Sequence, residues 1–75
     1  MNKHKSDIQS VLFNKNVFTE KDAEKWMKKY NLHPIKQVHI TKNFLRYRQK
    51  DPTIFKHFIT EHTYDPNVEL VIGFY

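Results

Sequence analysis

The chain contains no cysteine in its 75 residues. That excludes a disulfide framework and any thiolate acting as nucleophile or metal ligand. Glycine occurs once. Gly73 falls inside a stretch that otherwise reads as a strand, where a bulge or a close backbone approach explains it better than a phosphate loop does. No apolar run approaches the ~20 residues of a membrane-spanning helix, so no membrane partner is expected. The first residues, Met1 to Asp7, are polar and charged and lack the apolar stretch of a signal peptide, which predicts an intracellular protein. At this length one domain buries only roughly 60% of the surface its unfolded chain exposes. An enclosed active-site cavity would remove core volume that such a chain can hardly spare, so an enzyme is not expected.

Aromatic residues and basic charge are present in quantity. Six Phe, four Tyr and one Trp must supply much of the core, because large aromatics carry the most apolar area per residue. Thirteen Lys and Arg against eight Asp and Glu give a formal charge of +5, which favours anionic partners without identifying them.

Residues 1–7 read as a flexible basic arm, and residues 8–75 as a single α+β domain. Gln9 to Phe13 reads as a first strand, and Asn14-Lys15-Asn16 as a turn. Thr19 with Asp22 three residues on is a capping-box pattern with Asp in place of Glu. Ala23, Trp26, Met27 and Tyr30 follow at the spacing of one apolar helix face, and Asn31 and Pro34 end it. Ile35 to Gln49 breaks at Thr41-Lys42-Asn43 into a hairpin, with Val38 and Ile40 on the core face of its first strand. Asp51-Pro52 is an N-cap followed by a first-turn proline, which predicts a short helical turn through Phe55. Phe58 to Tyr64 is rich in β-branched and aromatic residues and precedes the turn Asp65-Pro66-Asn67, so it reads as a strand. Val68 to Tyr75 closes the chain, with Val68, Leu70, Ile72 and Phe74 on one face. The predicted order is β-α-β-β-short helix-β-β, an antiparallel sheet with one main amphipathic helix. Were Pro52 to Tyr64 helical instead, the order would be the ferredoxin-like β-α-β-β-α-β.

The strongest functional pattern is Phe44-Leu45-Arg46-Tyr47-Arg48, which holds the only two arginines. In a strand, alternate side chains share a face. Phe44, Arg46 and Arg48 then present two guanidiniums about 7 Å apart beside an aromatic ring, with Leu45 and Tyr47 turned to the core. Guanidinium forks recognise phosphates and carboxylates, and an aromatic neighbour can stack on a base. The same spacing suits a solvated face on which the arginines pair with Glu61, Glu69 or Asp51. Lys21, Lys25, Lys28 and Lys29 line the exposed side of the predicted helix and could follow a phosphate backbone without reading sequence. Glu24 to Lys28 is also a favourable i, i+4 pair on a solvated face. Five histidines invite a metal reading, but none has the His-x-x-x-His spacing of two ligands on one helix turn, and no metal or cofactor is expected. No serine or threonine sits in a glycine elbow, and the carboxylates are scattered, so no catalytic residue is nominated.

Gln9 to Phe13, Ala23 with Lys25-Trp26, Phe44 with Arg46 to Gln49, Asp51-Pro52 with Phe55, and Val71 to Phe74 together resemble a small domain in uncharacterised proteins of tailed phages and large DNA viruses. The resemblance spans nearly the whole chain and implies a viral origin, with a place in the infected cell or the virion. In the phage relatives the segment before the last strand looks like the first arm of a hairpin. It carries no established activity, so it transfers no catalytic residue. The combined expectation is a non-catalytic viral module that binds nucleic acid or a nucleoprotein complex through Phe44, Arg46 and Arg48, supported by Lys21, Lys25 and Lys28. A virion or host protein-interaction module using a sheet face or edge is the alternative. With so thin a core, a homodimer would serve to cover an open strand edge.

Overall fold

The computed structural model describes residues 5–75. The arm expected over residues 1–7 lies in part outside them, and Ser6 and Asp7 already belong to the first strand. The elements run β1 (Ser6–Asn14), α1 (Glu20–Lys29), β2 (His39–Ile40), β3 (Phe44–Arg48), a 3-10 turn η1 (Pro52–Ile54), β4 (His57–His62) and β5 (Val68–Phe74). The five strands form one antiparallel sheet in the order β2-β3-β1-β5-β4. This is the predicted α+β order. The ferredoxin-like alternative does not form, because only one 3-10 turn follows Pro52 before the chain extends into β4.

Local chemistry explains the element ends. The Thr19 hydroxyl accepts from the Asp22 amide at 3.1 Å and the Asp22 carboxylate accepts from the Thr19 amide at 3.2 Å, a reciprocal capping box. At the other end Asn31 has φ 57°, the left-handed conformation that Asn tolerates. Leu32 N–H then donates to Met27 C=O at 2.8 Å and Asn31 N–H to Lys28 C=O at 3.1 Å, a Schellman closure. Asp51 caps η1 by accepting from the Thr53 amide at 2.9 Å, with Pro52 in the first turn. The β4–β5 turn is tied by Asp65, whose carboxylate accepts from the Asn67 amide at 2.8 Å.

The helix packs on one face of the sheet. Val11, Phe13, Leu45, Tyr47 and Val68 meet Ala23 and Met27 there, with Ile8, Phe18, Trp26, Leu32, Val38 and Leu70 packed around them. Phe13 is the hub: its ring lies 5.1 Å from Phe18, 5.6 Å from Trp26 and 5.7 Å from Tyr47. Ile40 pairs with Leu45 in register, so it stands on the predicted face, but it is 56% exposed. Val38, just before β2, does pack against the core.

Candidate functional site

β3 alternates as its sequence predicts. Leu45 and Tyr47 are buried against the helix, while Phe44, Arg46 and Arg48 are half-buried on the opposite face. β1 lies beside them, and its contribution is not obvious from the sequence. One extra residue, Gln9, is inserted between Ile8 and Ser10 in the pairing with β5, a β-bulge. The bulge aims a polar pair into the structure: Gln9 and Ser10 are both fully buried. The Ser10 hydroxyl donates to Gln9 Oε1 at 2.7 Å, and Gln9 Nε2 donates to the Lys50 carbonyl at 2.9 Å.

Arg46 completes this network. Its Nε donates to Ser10 Oγ at 3.3 Å and its Nη2 to Gln9 Oε1 at 3.2 Å. Both acceptors are neutral, so they orient the guanidinium without cancelling its charge. The carboxylates that the sequence offers as partners do not pair with the arginines. Glu69 faces His62 at 3.8 Å. Glu61 pairs in register with Leu70, on the helix side of the sheet. Asp51 accepts from the Thr53 amide and hydroxyl, which hold its carboxyl below the ordinary range, with smaller contributions from the charges of Lys36 and Arg48. Among the described residues neither arginine forms an ion pair with a carboxylate. Arg48 Nε is shielded from solvent and makes no hydrogen bond.

No protein-family model, curated protein or solved structure matches this chain.

The lysines are placed differently from the arginines. Lys21, Lys25 and Lys28 are exposed on α1, which covers the face of the sheet opposite to Arg46 and Arg48. The structure brings Phe44, Arg46 and Arg48 together but does not join the helix lysines to them, so one flat contact cannot use both groups. His57 and His62 also stay apart: His57 stacks on Phe74 at 4.7 Å, and His62, at the other end of β4, faces Glu69. Gln9 and Ser10 are the site residues that sequence reasoning missed. A polar Gln-Ser pair in a strand that also carries Ser6, Asp7 and Asn14 reads as solvent-facing, so the sequence held no signal for its burial.

Two features lie outside this face. An open groove of about 680 Å³ between the helix end and the β4–β5 turn is lined by Trp26, Tyr30, Tyr64 and Leu70. On the helix side, Tyr47 is buried with its hydroxyl unpaired. Burial, followed by the negative charges of Glu20 and Glu24, pushes its phenol up to about 12. No helix of the structure is long and apolar enough to cross a membrane.

Proposed function

We propose that this chain is a non-catalytic binding module, of viral origin as its resemblance implies, which contacts nucleic acid or a nucleoprotein complex through the β3 face. The observation that carries the reading is the seating of Arg46 on Ser10 and Gln9. A guanidinium held by neutral acceptors is oriented in advance and keeps its full charge for an anionic partner. Arg48 stands two residues along the same strand, at about the spacing of successive phosphates on an extended strand. Phe44 adds a ring for stacking on an unpaired base. The helix lysines, on the far side, contribute long-range attraction rather than contact.

The test is a salt titration of binding to labelled single-stranded and double-stranded DNA and RNA. Affinity for a single strand should fall with a log-log slope of roughly −0.7 per phosphate contacted. The combined variant Arg46→Gln with Arg48→Glu should lose binding and flatten the slope with its circular dichroism unchanged. Gln at 46 keeps a donor for Gln9, which a glutamate there would not. Binding that is unaffected by this variant would remove the β3 face from the reading.

A second reading, a viral or host protein-interaction module, is favoured by β4, all six residues of which are exposed at the end of the sheet. Binding to a protein partner that changes little with salt, alongside no affinity for nucleic acid at low salt, would select it.

A further inference from the structure

The two edges of the sheet are built differently. β2 has only two residues and is flanked by Pro34, Lys36 and Lys42, features that blunt an edge against further pairing. β4 is three times as long, contains no lysine, arginine or proline, and exposes Phe58 (43%) and Ile59 (41%). The phase of its hydrogen bonding is fixed by Thr63 N–H donating to Val68 C=O, two residues that face each other in the continued β4–β5 register. In an antiparallel ladder the direction of the backbone groups alternates. Ile59 and Glu61 therefore point their N–H and C=O at β5, while Phe58, Thr60 and His62 point theirs outward.

We infer that β4 pairs with β4 of a second copy of this chain, antiparallel, about a two-fold axis passing beside Ile59. Only registers centred on a residue align outward-facing groups with outward-facing groups. The one centred on Ile59 places Phe58 opposite the partner's Thr60 and Thr60 opposite the partner's Phe58, which makes four backbone hydrogen bonds. On the helix side it sets Ile59 against its own copy and His57 against the partner's Glu61, twice. The edge is thus complementary to itself in backbone hydrogen bonding and in the apolar contact at its centre, with an imidazole opposite a carboxylate on either side, as a two-fold interface requires. A register centred on Thr60 would instead set Ile59 against Glu61, burying an apolar side chain against a carboxylate. The inference takes up the edge of the second reading and does not depend on what the arginine face binds. Edge pairing of two six-residue strands through four backbone hydrogen bonds makes a small contact, so the association should be weak and concentration-dependent.

The experiment is sedimentation equilibrium of the full chain without nucleic acid, from micromolar to millimolar concentration. The average mass should rise from one chain towards two. Thr60→Pro removes an outward N–H that no internal partner uses, so it should abolish dimerisation with native circular dichroism. Ile59→Lys, which sets two ammonium groups together at the axis, should do the same and covers the case in which the proline variant fails to fold. Glu61→Lys should weaken dimerisation at least tenfold, and the exchange His57→Glu with Glu61→Lys should restore it. A chain that stays monomeric throughout, or dimers that survive in a folded edge variant, would overturn the inference. Failure of the exchange to restore association would overturn the register.

Discussion

On the helix-covered face of the sheet, Phe13 touches three other rings at the centre of an apolar cluster. On the opposite face, Arg46 rests on the buried polar pair Gln9 and Ser10, and no α-helix covers it. The difference separates two tasks within 75 residues. The covered face supplies the apolar burial on which folding depends, with little tolerance for lost volume. The open face contributes less burial, and there side chains are held by directed hydrogen bonds, so they can carry charge in a fixed position. A small domain gains such a surface cheaply because β-strand alternation turns every second residue away from the core.

Substitutions that break one face and spare the other test this division, and the largest effect should come from the covered face. Phe13→Ala should cost about 3–5 kcal/mol in urea unfolding, since the ring is fully buried at the centre of the aromatic cluster. A marginal domain would then be largely unfolded. Gly73→Ala probes a place where the open face is tightly packed. A methyl group at Gly73 would collide with the Phe55 ring, which lies directly over the backbone there. The expected loss is about 1–3 kcal/mol, and Phe55→Leu in the same chain should recover part of it.

Smaller effects sharpen the comparison. Tyr47→Phe removes a buried hydroxyl that has no partner and should raise stability by about 1 kcal/mol, measured at neutral pH. It should also change the alkaline limb of the stability curve. The folded phenol is raised to about 12 from an unfolded value near 10. Tyr47 therefore contributes stability that is complete below pH ~10 and is lost as pH rises from there towards ~12. The phenylalanine variant should lose that part of the slope. Thr19→Ala removes the helix cap and should cost about 1 kcal/mol. Asp22, whose carboxyl is held below its ordinary value chiefly by the Thr19 amide, contributes stability present above pH ~4 and lost as pH falls through its depressed value. The Thr19→Ala variant keeps that amide and loses only the hydroxyl, the second contribution, so its acid titration should show a slightly weaker dependence in that window, whereas Asp22→Asn should lack it.

Features set by a few adjacent residues were legible in the chain itself. The Thr19 cap, the Asn31 stop, the Asp51-Pro52 turn and the strand from Phe58 each follow from steric and hydrogen-bonding preferences acting over three or four positions. Alternation in Phe44 to Arg48 likewise put Leu45 and Tyr47 inward and both arginines outward. The tertiary structure alone decided what the arginines meet. Gln9 and Ser10 lie more than thirty positions away from Arg46 and reach it only because β1 is the central strand between β3 and β5. The same fold placed the helix, with Lys21, Lys25 and Lys28, on the far face, left Ile40 exposed, and brought Phe55 over Gly73. Local preference determines which way each side chain turns, whereas strand order and register are chosen by the burial of the whole apolar face, a sum over distant residues that no short stretch contains.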